Sequence, residues 1–568
     1  DFDQASLLMA LLRASGIPCR YVYGVVEIPM EKVKNWIGIE HDQTALNTFP
    51  TNGIPAKGIY IGEKAAFLRK EHVWVEALVP VNHYRGSGVD DSGKGWVPMD
   101  PSFKQYEEKP KLDLQSEVPF DVQAFINQIQ SNAAIGDNGA SITNVDQNYI
   151  QQKMDEYQQA VKSYIEKNYP DATVDDLLGG RKIIASQYSI LPLSLPYQIV
   201  SIQKEFSASN DSYRHKIGFQ IENPNDFPGG SSCSYTGTVP DIGSKRISIA
   251  FIAATEADAE LLASYLPEAH TDGTPIQPGE LPASFPAYLI KVKPQIIVDG
   301  TVVATGNPVT MGTQLDFYMD FIYPTYVNEP MQHLQNQVTA GGFYVVTLDT
   351  GSISANRLIN TSVGFKTTIN NIQAGNITAT TSESLGGQFL QAIGLKYFAQ
   401  LDLMNRIVEK QANVRALRVT SEAITSIDCS VKYLFGMPRN LSISGLAIDV
   451  DRDLYSVRSI NGDNQNVKQF FTVSGPYGSY LEGSVFEEVF GGQGISTIHI
   501  LNIANSQGIK IYHLDSSNVN AILPNLQYND DQKQMLRNLI SSGKEITIPE
   551  REVTIGGWTG TGYEVINP

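Results

Sequence analysis

Residues 3–24, DQASLLMALLRASGIPCRYVYG, decide the fold of the first part of the chain. Leu7, Leu8, Leu11 and Leu12 recur at helical spacing, so the segment up to Ser15 reads as one helix buried along that stripe. Gly16 suits the position just past a helix end, where a left-handed backbone is wanted. Ile17-Pro18 then forces extended chain, because a residue before proline is pushed out of the helical region. Arg20 to Ile28 follows as a strand rich in β-branched and aromatic residues.

Working outward, EHVWVEALV (71–79) alternates as a strand. The two-residue period puts His72, Trp74 and Glu76 on one face and Val73, Val75 and Ala77 on the other. The stretch GWVPMDPSFKQY (95–106) supplies another strand and delivers Asp100 at its end. A helix start, a histidine and a carboxylate are the parts of a thiol-nucleophile site: the helix end lowers the thiol pKa, the imidazole takes the proton, and the carboxylate fixes the tautomer.

These blocks, in this order, resemble the transglutaminase-like superfamily, whose fold is papain-like α+β. The resemblance implies His72 as general base, Asp100 as its orienting carboxylate and Trp74, in a His-x-Trp strand, as a residue on the substrate side. It also implies a cysteine two residues before Asp3, and Asp1 stands there. A carboxylate at a helix start can cap free N–H groups and meet the positive end of the dipole, but it cannot do thiolate chemistry. Cys19 lies beyond the helix end, and Ser6 is too far into the helix to be aimed at His72. The expectation is therefore a degenerate, inactive domain, its alternative being an active cysteine protease or transglutaminase-type acyl transferase whose nucleophile precedes Asp1. Because the chain enters its first helix directly, it is expected to be a fragment.

At 568 residues the chain exceeds what one core serves, so several domains are expected. The expected division is a transglutaminase-like domain over 1–112, a linker with amphipathic helices over 113–194, a β-sandwich-like domain over 195–350, and a mixed α/β region over 351–568. Ile150, Met154, Tyr157, Val161 and Tyr164 make the linker's main helix amphipathic. In the β-rich part, Asp299-Gly300 between β-branched arms predicts a two-residue type I′ hairpin. Phe389, Leu390, Ile393, Tyr397, Leu401, Met404 and Val408 mark a long buried helix. Near the C-terminus Ser496 is placed to cap a helix, and 509–514 reads as a strand. Gly491-Gly492-Gln493-Gly494 lacks the Lys-Ser/Thr of a phosphate loop.

The net charge of −18, without a cluster of Lys and Arg, disfavours a nucleic-acid partner. No run of about 18 apolar residues occurs, so no transmembrane segment is expected. Cys19, Cys233 and Cys429 are far apart, and the histidines, His83 among them, show no paired spacing for a metal. Neither metal nor cofactor is expected, and a protein or peptide is the expected partner. The Asp-Gly hairpin, Ser194-Leu195-Pro196-Tyr197 and the closing GWTGTGYEVINP are similar to segments that follow transglutaminase-like domains in very large bacterial secreted or surface proteins, some of them toxin-like. That similarity implies a secreted or cell-surface location.

Overall fold

A computed structural model describes the chain apart from residues 1, 52–53, 82–92, 111, 186–187, 189–190, 212–213, 226–232, 273, 275, 283, 323–329, 351–352, 376–381, 419–420, 435–436, 452–454, 491–493, 556–557 and 567–568. Side chains are further left out at 174–175, 278, 330–333, 382, 417–418, 421–423, 426–451, 455–456 and 489–490. Asp1, His83, Gly491, Gly492, Gln493 and the Cys429 side chain therefore lie outside the described residues. The fold is mixed α and β. By its internal contacts the chain divides into two units, one of residues 1–104, 186–402 and 415–458, the other of residues 105–185, 403–414 and 459–568.

The first unit begins with helix α1 (Phe2–Ala14), which ends in a Schellman arrangement. Gly16, at φ 73, lets its own N–H reach the Arg13 carbonyl and the Ile17 N–H reach the Leu12 carbonyl, both at 2.9 Å. The buried stripe differs from the expected one. Ala5 and Met9 are buried with Leu8 and Leu12 packed beside them, while Leu7 and Leu11 are 62% and 58% exposed. Residues 5, 8, 9 and 12 also form a helical face, and tiny Ala5 lets that face approach the sheet closely. Leucine content alone cannot choose between two overlapping stripes.

Strand β1 (Cys19–Pro29) pairs antiparallel with β3 (Lys64–Pro80), with Gly24 opposite His72 and Val22 opposite Trp74. Strand β2 (Ala56–Ile61) lies along β3 on its other side, and β4 (Lys94–Met99) pairs with the end of β3. Helix α1 covers Tyr21, Val73 and Val75 on one face of the sheet. The other face, carrying Val22, Leu68 and Trp74, packs against α2 (Met30–Ile37), α3 (Asp42–Thr51) and Phe103. Full burial of side chains such as Leu68 and Met30 contributes about 1.5–3 kcal/mol each, which holds both layers on the sheet.

The strand Gln198–Phe206 belongs to this sheet too, antiparallel to β1. From sequence alone this strand is expected in the β-rich module that follows. Its backbone satisfies the edge that β1 would otherwise leave open, a demand that no local pattern announces.

Beyond it, two sheets face a shared apolar core. One has the order Cys233–Thr238, Lys216–Glu222, Gln314–Ile322, Pro330–Thr339, and the other runs Thr301–Thr305, Lys291–Val298, Ile247–Ala253, Tyr344–Asp349, Ser421–Leu434, Met437–Asp451. Phe219, Phe317, Ile249 and Val346 meet between them. This second sheet runs on beyond residue 350, because Ser421–Leu434 pairs with Tyr344–Asp349 and Met437–Asp451 pairs with Ser421–Leu434. At the Asp299-Gly300 turn φ is 47° and 81°, the positive pair that a type I′ turn requires.

In the second unit the stretch expected to be linker contributes to a sheet. Ser141–Thr143 pairs with Ile511–Leu514, and Ala134–Gly136 extends the same sheet. Its pieces are too short to show a period in sequence. Ser496 accepts from the His499 N–H at 3.3 Å and caps Thr497–Ser506. Helix Gln147–Asn168 has no fully buried residue, and its Tyr157 ring meets Phe120 at 5.0 Å. Among the described residues no helix is long and apolar enough to cross a membrane.

Candidate functional site

His72 and Asp100 come together because β3 and β4 are neighbours, with Val75 opposite Met99, so the residue after β4 turns back under the histidine. His72 Nε2 lies 2.8 Å from Asp100 Oδ2, and His72 is only 2% exposed. The other carboxylate oxygen, Oδ1, accepts from the Ser102 N–H at 2.9 Å, the Ser102 hydroxyl at 2.7 Å and the Phe103 N–H at 3.2 Å. Tyr197 donates its phenol to Oδ2 at 2.6 Å.

Burial works against the Asp100 charge, but the donors from His72, Tyr197 and Ser102 overcome it and hold the carboxyl well below the usual carboxylate range. An ionised Asp100 can only accept, so Nε2 carries the imidazole proton and Nδ1 the lone pair.

That lone pair faces Lys70 Nζ at 3.1 Å. Lys70 is 1% exposed and its amine lies over the rings of Trp36, 5.0 Å away, and Phe49, 5.2 Å away. Burial pushes its pKa down to about 7, with Asp100 pulling it up. Burial and then the Lys70 charge push the imidazole down to about 4, against the pull of Asp100. His72 is thus neutral near pH 7, held between a carboxylate and an amine.

Aromatic rings close the site. Trp36 stands edge-on to His72 at 6.0 Å and donates its indole N–H to the Ser102 carbonyl at 2.9 Å. Phe103 and Tyr197 are perpendicular to one another at 5.1 Å.

Trp74 shares the His72 face of β3 and is 0% exposed, packed in the core, its indole N–H without a hydrogen-bond partner among the described residues. Cys19 donates weakly to the Met9 carbonyl at 3.6 Å. With Cys19 opposite Ala77 and Gly24 opposite His72, the thiol sits about 17 Å along the sheet from the imidazole. Ser6 accepts from the Tyr21 hydroxyl at 2.9 Å on the α1 face of the sheet. Ser102 comes within 3.5 Å of His72 Nε2, but that nitrogen already gives its proton to Asp100, and the hydroxyl is spent on the same carboxylate.

Lys70 and Trp36 carry no site signal of their own in the sequence, and Tyr197 stands there only as part of the segment 194–197. Lys70 was within reach, since the same parity that aligns His72, Trp74 and Glu76 continues back to residue 70. For Tyr197 no such signal exists, because it enters from a segment that follows the intervening 105–185.

Residues 1–101 match the family model of the transglutaminase-like superfamily, so a transglutaminase-like domain is present. Tyr197 and the strand after it lie outside the matched span. Searches of curated proteins and of solved structures found no match.

Proposed function

We propose that this domain is a non-catalytic transglutaminase-like module that serves structure or interaction inside a larger secreted or cell-surface bacterial protein, of the toxin-delivery kind. The observation that carries the loss of activity is the Lys70 amine 3.1 Å from His72 Nδ1. A general base needs a lone pair aimed at the group it deprotonates, and this one is taken up by the Lys70 amine, which can donate to it whether charged or neutral. The register that puts Asp1 at the cysteine position supports the same reading, as does the distance to Cys19. The secreted setting rests on the resemblance of residues 194–197 and the closing segment to bacterial surface proteins, and a protein or peptide remains the proposed partner.

The second reading, an active thiol enzyme acting on peptide or glutamine amides through an acyl-thioester, is favoured by the intact 2.8 Å contact of His72 with Asp100. In it His72 is base and acid, Asp100 its partner, and the cysteine comes from upstream of Asp1.

Alkylation by iodoacetamide at neutral pH separates the two readings, performed on this chain and on a longer one that includes the upstream sequence. The non-catalytic reading expects the same alkylation rate in wild type and His72→Ala, and no dansylcadaverine incorporation into a glutamine peptide. A fast-reacting cysteine whose rate falls with His72→Ala, or amine incorporation, would overturn it.

A further inference from the structure

The family match ends at residue 101, yet the Asp100 carboxylate is completed by a residue almost a hundred positions later. Tyr197 is held from both sides. After it, Gln198–Phe206 is zipped to β1, and beside it Leu195 sits in the core shared with α2 and α3. The zipper depends on Gly24, because a Cβ at that position would collide with the Ser201 carbonyl. Gly24 is also the residue opposite His72, so the same backbone position seats both the histidine strand and the tyrosine strand.

We propose that Tyr197 is a positioning residue of the His72–Asp100 pair: by donating to the same oxygen that accepts from the imidazole N–H, it limits how strongly Asp100 can stabilise an imidazolium. Asp100 Oδ2 takes both the 2.6 Å phenol bond and the 2.8 Å imidazole bond. Each donor weakens the oxygen as an acceptor for the other, so removing the phenol concentrates the carboxylate's negative charge on Nε2–H. Packing does not require the hydroxyl. The ring's contacts with His72, at 5.9 Å, and Phe103 are edge contacts that phenylalanine reproduces. The phenol keeps its proton, since burial and Asp100 push it well above the usual tyrosine range.

The inference concerns the site of the reading above but not its inactivity, since the imidazole reports on Tyr197 whether or not a thiol is present to attack. The test is an NMR titration of the full chain with labelled histidine, the His72 signals assigned by their loss in His72→Gln. Wild type should keep the Nε2–H tautomer. In Tyr197→Phe the His72 midpoint should rise by roughly one pH unit, as expected for restoring a carboxylate partner to an imidazolium. Site-specific 3-fluorotyrosine at 197, a stronger donor of the same shape, should move the midpoint downward, and it decides the matter if the phenylalanine variant does not fold. A midpoint unmoved by either replacement would reduce Tyr197 to a packing residue and overturn the proposal.

Discussion

Replacing Lys70 by methionine isolates the cost of burying an amine beside the histidine. Methionine keeps the unbranched length and suits the Trp36 and Phe49 rings, so the volume is conserved. The descent of Lys70 from 10.5 to about 7 corresponds to on the order of 5 kcal/mol, at about 1.4 kcal/mol per tenfold change in proton affinity. The sign follows from proton counting. Between the folded value near 7 and the unfolded value near 10.5, the unfolded chain holds a proton that the folded chain has released, so stability rises with pH across that window. Well below pH 7 both states are protonated and the full cost is present. Integrating the two titrations gives a gain of about 2 kcal/mol from pH 7 to pH 9 in the wild type that Lys70→Met lacks. Contacts that do not titrate cancel in this comparison, whatever the variant does to stability at a single pH. Urea unfolding read by tryptophan fluorescence is the assay, because Trp36, Trp74 and Trp96 lie in this domain. Equal pH slopes in wild type and variant would refute the reasoning, and with it the assignment of a buried, titrating amine.

The acid side has a different owner. His72, at about 4 when folded against 6.5 ordinarily, contributes stability that is complete above 6.5 and lost as pH falls toward 4, and His72→Gln should flatten that limb of the urea midpoint curve. Asp100→Asn turns one acceptor into a donor against His72, Tyr197 or Ser102, and should cost on the order of 2–4 kcal/mol in the same assay. On α1, Met9→Ala should cost about 2–4 kcal/mol, whereas Leu7→Lys should stay within about 0.5 kcal/mol, and equal penalties would restore the leucine stripe as the buried one. Gly24→Ala should loosen the Gln198–Phe206 strand, seen as faster amide exchange at residues 199–205, and unchanged protection there would contradict the close approach of the Ser201 carbonyl.

Sequence alone determined what depends on near neighbours. The end of α1 at Gly16, the strand parity that puts His72 and Trp74 on one face, and the Asp299-Gly300 turn all follow from backbone preferences a few residues long. Even so, parity says which side chains share a face and not which face is occupied by what. That Nδ1 of His72 would look at Lys70, that α1 would bury Ala5 and Met9 in place of Leu7 and Leu11, and that Tyr197 would reach Asp100 across the intervening 105–185 were decided by the packing of distant segments. Each depends on which strand fills an open sheet edge and which stripe of a helix fits the space offered. Those are pairings between parts of the chain whose separation along the backbone carries no information about their distance in the fold.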